Sequence, residues 1–493
     1  MAGIGFALKR MFQKETFTNR ALAYLYSSFI AAGPWILSVL SINILLLLLR
    51  LSDATIDERN LFSATIVYSF IFSQILVSPI QLVVTRYISD NLYQKKYDRV
   101  KSTFIGVNNL TLVLSLIISI VFYYNKPIPI YYKIISSYLF IIISMIWILM
   151  IFLSAVKNYK LIAKAYLIGG IITIALIFIF NDYPIPFENL QLSSNYLFAY
   201  VIGLSTILVL FLFNLFSTFF HGDVYKFDYI SYLGKYKAIG FVGFFYTLGL
   251  WSDNIIMWFS TYQIKIYNTF IFAPYYDNAV FIAYLTTIPT LVLFFVIIET
   301  EFYITYKNYY GQANSAETYK NIDLSRRVMR RSLSYNLFYT FLFQILITIT
   351  FILVSKPIFK ELGINYLVRN IFQITAIGTM FNIFAFVIIL VLLYFERRAK
   401  ASIVAIIFFV LNSSFSYYFT FHQPIKYAGY GFTIASTLTF FIGLFILISF
   451  FKNINYTTFA TQPIYIEKDK DIFMKLADKL NKHTHKKYTE NKK

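Results

Sequence analysis

The chain has 493 residues, of which 58% are hydrophobic and 13% charged, whereas a soluble domain carries about 25% charged residues. Its formal charge of +20 is broken into short clusters between apolar runs, the pattern of membrane-protein loops and not of a nucleic-acid-binding face. There is no cysteine, which excludes a disulfide framework and thiolate chemistry.

Residues 1–20 place Ile4, Leu8, Met11 and Phe12 at helical spacing, which predicts an amphipathic N-terminal segment. The first apolar run, Ala21 to Leu49, is too long for a signal-peptide core and lacks a small-residue cleavage site, so an uncleaved first span is expected. About 20 apolar residues cross a bilayer as a helix. That length predicts further spans over 61–85, 103–124, 134–156, 161–180 and 196–220. A second set follows over 238–260, 280–298, 333–354, 370–395, 401–421 and 432–451. Unpaired backbone in lipid costs several kcal/mol per group, so these runs read as helices. The expected fold class is all-α, a polytopic membrane protein of about twelve transmembrane helices.

Lysine and arginine set the orientation. With the N-terminus inside, the inner segments 1–20, 86–102, 157–164, 221–237, 299–332, 396–400 and 452–493 hold 34 of the 43 basic residues. Both termini are therefore expected in the cytoplasm. The outer loops, such as 125–133, 181–195 and 261–278, are short and rich in Pro, Tyr and Asn. The inner side carries a basic loop, 299–332, with Arg326, Arg327, Arg330 and Arg331. In the tail, Ile472, Phe473, Leu476 and Leu480 form one stripe with lysines opposite, the pattern of a helix that rests on the membrane or docks a partner.

The halves carry a weak repeat. Phe29–Gly33–Pro34–Trp35 aligns with Phe245–Gly249–Leu250–Trp251 at an offset of 216, and Thr85–Arg86–Tyr87 with Thr300–Glu301–Phe302 at 215. This divides the chain into an N-terminal six-helix lobe (21–220), a cytoplasmic linker (221–237), a second six-helix lobe (238–451) and a basic tail (452–493). Two such lobes suit rocking around a midplane cavity. Gly33, Pro34, Pro79 and Pro289 weaken their helices and are candidate hinges. Static kinks satisfied by neighbouring helices fit them as well.

Polar groups inside spans are costly and mark candidate sites. Asp253 in the seventh span is the strongest candidate for a cavity or ion-linked residue. Asn43, Gln74 and Gln81, with Asn108, Asn109, Gln344, Gln373 and Asn382, are uncharged candidates that equally fit helix–helix hydrogen bonding. Arg86 and Glu301 fall at repeat-related positions with opposite charge, which suggests a cytoplasmic gate, with Glu299 as a substitute partner. Snorkelling to the interface is the plainer reading. No P-loop is present. His483 and His485 lack acidic or thiol companions, so no metal site is expected, and no cofactor is indicated.

Met1–Ala2–Gly3–Ile4–Gly5–Phe6, Leu8–Lys9–Arg10 and Ala32–Gly33–Pro34–Trp35–Ile36–Leu37–Ser38 resemble the opening of the PelG family, inner-membrane transporters of Pel exopolysaccharide systems. Arg86–Tyr87–Ile88–Ser89–Asp90, Leu92–Tyr93, and Trp251 with Asp253 are similar to the same family. The resemblance implies a member of the multidrug/oligosaccharidyl-lipid/polysaccharide exporter superfamily that acts as a transporter and not an enzyme. It implies a hexosamine-rich biofilm polymer as cargo, a PelF-like cytoplasmic glycosyltransferase as partner, and other membrane components of a synthase complex. The fold also suits an ion-coupled small-molecule exporter or a flippase for lipid-linked oligosaccharides. A membrane glycosyltransferase working through Asp53, Asp57 and Glu58 is a third reading. No catalytic residue is carried over from the family.

Overall fold

A computed structural model describes residues 54–156, 159–187, 190–219, 226–315, 317–361, 363–460 and 472–490, preceded by residues 44, 45, 47–49, 51 and 52. Gly33, Pro34, Asn43, Asp53, the N-terminal segment and most of the first expected span lie outside the described residues.

The helices run in chain order as α1 (Ile56–Tyr93), α2 (Asp98–Tyr123), α3 (Ile130–Val156), α4 (Tyr159–Asp182), α5 (Gln191–Thr218), a short α6 (Tyr229–Lys235) and α7 (Lys237–Trp258). After a β-hairpin come α8 (Pro274–Leu285), α9 (Ile288–Ile297), a π-helical turn (Ile298–Phe302), α10 (Tyr303–Ala313) and α11 (Tyr319–Glu361). The series ends with α12 (Tyr366–Tyr394), α13 (Arg398–His422), α14 (Tyr430–Lys452), α15 (Ile454–Ala460) and α16 (Ile472–Glu490). Among the described residues, eleven helical stretches are long and apolar enough to cross a membrane, with α8 and α9 counted as one. They match the expected spans from the second onward.

Three features differ from expectation. The segment 261–278, expected as a loop, forms a hairpin of β1 (Ile264–Ile266) and β2 (Phe270–Phe272), with Lys265 opposite Ile271. Its turn puts Tyr267 and Asn268 at φ 45° and 46°, the left-handed pair that a tight hairpin turn requires and that glycine usually signals. The Tyr68 hydroxyl donates to the Ile271 carbonyl at 2.6 Å and accepts from its N–H at 3.1 Å, filling the outer edge of β2. Second, the basic loop 299–332 is mostly helical, divided between α10 and the start of α11. Third, the tail helix turns a different stripe inward. Ala477 and Asn481 are buried, whereas Ile472 and Leu476 are exposed.

By its internal contacts the chain divides into two compact units. One comprises 33–251, 261–272 and 469–493. Its most buried span is α3, onto which α1, α2 and α5 pack. The α4 and α5 backbones come close enough that a Cβ on Gly203 would stand 2.6 Å from the Gly169 carbonyl oxygen, the small-residue packing expected where lipid supplies no hydrophobic drive. On this unit α16 lies against α6. Asn481 donates to Asp228 at 2.6 Å and accepts from the Phe227 N–H at 3.0 Å. Asp228 also pairs with Arg99 at 3.2 Å, and Lys237 sits 5.7 Å from the Phe473 ring.

The other unit comprises the described residues of 252–260 and 273–468. Here α12 is the most buried span, packed by α8, α14 and α13, and α11 is the least buried.

Candidate functional site

The second unit holds two buried carboxylates on adjoining segments. Asp253, near the end of α7, is 1% exposed. It accepts from the Tyr276 hydroxyl at 2.6 Å and from Asn412 Nδ2 at 3.2 Å. Asn412 also donates to Ser252 at 3.1 Å, and Ser416 donates to Asn412 at 3.0 Å. The next residue along α7 serves the second acid, since Asn254 Nδ2 donates to Asp277 Oδ1 at 2.7 Å. Asp277 Oδ2 accepts from Trp258 Nε1 at 2.9 Å and from the Ala273 N–H at 3.1 Å, at the mouth of α8.

Local sequence explains the arrangement. Pro274 starts α8 without needing an amide partner, and Asp277 in the first turn faces the positive end of the helix dipole. All the side chains that donate to either carboxylate are neutral. Among the described residues neither Asp253 nor Asp277 makes an ion pair. A buried charge is held only by its partners, and here the partners of both carboxylates are neutral donors.

Asp277, Tyr276 and Asn412 were not singled out from sequence. The seventh and eighth spans were expected to end at 260 and resume at 280, which left Asp277 in a loop. The helix-start signal of Pro274 followed by an acid in the first turn places it inside a span.

The eighth span breaks at Thr286 and Thr287, between α8 and α9, with Pro289 in the first turn of α9. The carbonyls at the end of α8 accept side-chain hydroxyls as well as the backbone N–H groups of Thr286 and Thr287. The Thr286 hydroxyl donates to Ala283 at 2.7 Å and the Thr287 hydroxyl to Tyr284 at 2.7 Å. From α12, Thr379 reaches the Ala283 carbonyl at 3.3 Å. From α11, Gln344 accepts from Thr290 and donates to Thr348 at 3.1 Å. Gln373 similarly donates to Ser355 at 3.1 Å. Gln344 thus bridges two hydroxyls, and Gln373 ties α12 to α11, each within its own unit.

Pro79, inside α1, cannot donate to the Ile75 carbonyl. The Ser78 hydroxyl does so instead, at 2.9 Å. Gly243 of α7 passes so close that a Cβ there would run into the Ser78 carbonyl. One turn earlier, Gln74 accepts from Trp251 Nε1 at 2.9 Å. Gln81 is half-buried, and its carbonyl accepts from Thr85 at 2.8 Å.

Arg86 is engaged within its own unit. It pairs with Asp90 at 3.2 Å and lies 5.9 Å from the Tyr236 ring centroid. Next to it, Tyr87 meets Tyr232 edge-on at 4.8 Å. Burial, with the Asp90 carboxylate alongside, pushes the Tyr232 phenol up to about 12. Glu301 belongs to the other unit, exposed on the π-helical turn that also contains Glu299. At the start of α1, Glu58 closes a capping box, accepting from the Thr55 N–H at 3.2 Å.

A family model described as "PelG: Putative exopolysaccharide Exporter (EPS-E)" matches residues 1–459. No curated protein matches the sequence. Among solved structures, a MOP superfamily transporter from Pyrococcus furiosus is similar at 13% identity, covering 87% of this chain and 95% of that one with a TM-score of 0.58. Its structure is described as having a binding pocket of reverse polarity that suggests a different function. The Vibrio cholerae MATE transporter VcmN in its bent form is similar at 10% identity, over 88% of this chain and 98% of that one, with a TM-score of 0.56. A multidrug resistance MATE family transporter in an outward-facing conformation is similar at 12% identity, over 87% and 96%, with a TM-score of 0.54. At these identities the likeness is one of fold.

Proposed function

Because the chain belongs to the PelG family, we propose that it exports a hexosamine-rich polysaccharide across the cytoplasmic membrane as it is made by a partner synthase. Family and fold make it a multi-pass membrane exporter with the fold of MOP superfamily transporters. The family match over residues 1–459, which takes in all eleven described spans, supports a polysaccharide as the cargo. A cytoplasmic PelF-like glycosyltransferase feeds the cargo from the side where the basic residues gather. Both termini lie on that side by the distribution of lysine and arginine.

Cells lacking this chain are expected to keep polymer inside while the glycosyltransferase continues to act. Secreted polymer at the wild-type level in such cells would remove the reading.

A second reading has its own observation. Asp253 and Asp277 are buried carboxylates held by neutral donors, which favours export coupled to uptake of a proton or a monovalent cation. Asp253→Asn keeps a polar side chain of the same shape and removes the charge. If export by that variant no longer responds to an imposed ion gradient, coupling runs through this carboxylate. An unaltered response excludes it.

A further inference from the structure

From the outward face of α11 we infer a docking surface for an acidic, amphipathic helix of a membrane-spanning partner, an inference that does not depend on the identity of the cargo. The helix is 43 residues long, about 65 Å at 1.5 Å per residue, whereas the hydrocarbon core needs about 30 Å. Its apolar run begins near residue 333, so the segment from Tyr319 stands well clear of the core.

Two stripes run along it at the three-to-four-residue spacing of helix packing. Ile322, Met329, Leu333, Asn336 and Thr340 are buried in their own unit. On the opposite side Leu324, Val328, Tyr335, Tyr339 and Leu346 are 64%, 51%, 59%, 50% and 65% exposed. Lipid covers the far end of this second stripe. It does not account for Leu324 and Val328, which lie among Arg326, Arg327, Arg330 and Arg331.

The only carboxylate that pairs with these arginines among the described residues is Asp323, which meets Arg326 at 2.6 Å and Arg327 at 2.9 Å. Arg330 and Arg331 are exposed, with no ion pair among the described residues. An exposed apolar stripe with two unmatched cations calls for a partner stripe flanked by acids.

A bilayer surface does not fit, because an interfacial helix lies in the membrane plane. Instead α11 continues unbroken from its span, with no proline before Pro357, which points the extension away from the membrane. A second copy of this chain does not fit either, since parallel pairing of two α11 helices would set arginine against arginine. The stripe continues from the extension into the span, so the partner helix is one that also enters the membrane.

The test places photoreactive benzoylphenylalanine at Val328 of the full chain in its native membrane, and the adduct is sequenced after irradiation. The expected product is a segment of a different, membrane-spanning protein with net negative charge and an apolar residue every three to four positions. Combining Arg330→Glu and Arg331→Glu in that chain is expected to cut the adduct at least about fivefold, with the thermal midpoint of the purified protein unchanged because both side chains are exposed. A lipid adduct, an adduct to a second copy, no adduct, a segment without that charge and spacing, or undiminished yield in the double variant would each overturn the inference.

Discussion

The Tyr276 hydroxyl donates to the Asp253 carboxylate across 2.6 Å, and Asn412 occupies the other carboxylate oxygen at 3.2 Å. The residues come from three helices, α8, α7 and α13, so this carboxylate fastens the unit as well as carrying charge. Replacing it by a side chain of similar size without an acceptor strands two buried donors, each costing about 1–3 kcal/mol. Asp253→Leu is therefore expected to lose about 2–4 kcal/mol of stability and to lower the thermal midpoint clearly, while Asp253→Asn stays close to wild type. Equal midpoints for the Leu variant and the parent would contradict a fastening role.

Ser78 repairs the hydrogen bond that Pro79 removes, and a double-mutant cycle reads this directly. In the parent, Ser78→Ala leaves the Ile75 carbonyl unpaired and is expected to cost about 1 kcal/mol. In a Pro79→Ala background the backbone amide of the introduced alanine supplies the donor, so the same change costs little. The expected coupling is about 1 kcal/mol, and additive effects would show that the hydroxyl has another role.

Much of this was legible in sequence, and each part that was not has its own cause. Apolar run length located the spans because lipid leaves the backbone no alternative to helix. The extension of α11 was hidden because Arg326 to Arg331 read as loop charge, yet polar residues propagate a helix once its apolar part has nucleated it. The hairpin lacked a glycine at its turn, and Tyr267 with Asn268 took the left-handed positions instead. In the tail, apolar residues occupy both sides, and only contact with α6 selects Phe473, Ala477, Leu480 and Asn481 over Ile472 and Leu476. Asp253 stood out as a charge within a span, whereas Asp277 did not, because the start of its helix was placed six residues late. Asn412 looked like any other amide, since nothing local in sequence tells which acid a distant helix will face.

Arg86 distinguishes two accounts of the cytoplasmic end of α1. Its ion pair with Asp90 and its contact with Tyr236 support a role in bracing the linker within its own unit, whereas the repeat in sequence suggests Glu301. Arg86→Glu is expected to lower export severalfold. Adding Asp90→Arg is expected to recover more activity than adding Glu301→Arg, measured as secreted polymer at matched protein levels. The reverse order would restore the gate between Arg86 and Glu301.

The tail helix hangs on Asn481, which bonds both Asp228 and the Phe227 amide. Asn481→Ala removes two buried bonds, about 1–3 kcal/mol, and so should raise the rate of proteolysis within α16 about tenfold, in line with local opening. Lys475→Ala, on the exposed side of the same helix, should leave that rate unchanged. Equal rates for Asn481→Ala and the parent would detach this asparagine from tail docking.

The most direct test of the export claim uses sealed vesicles carrying this chain, with the glycosyltransferase and its sugar nucleotide supplied on the side bearing the basic loops. Polymer is then scored by its protection from an added glycoside hydrolase. The account predicts protected polymer only when both the chain and the glycosyltransferase are present. Polymer that is fully digested with the chain in place, or equally protected without it, would contradict export by this protein.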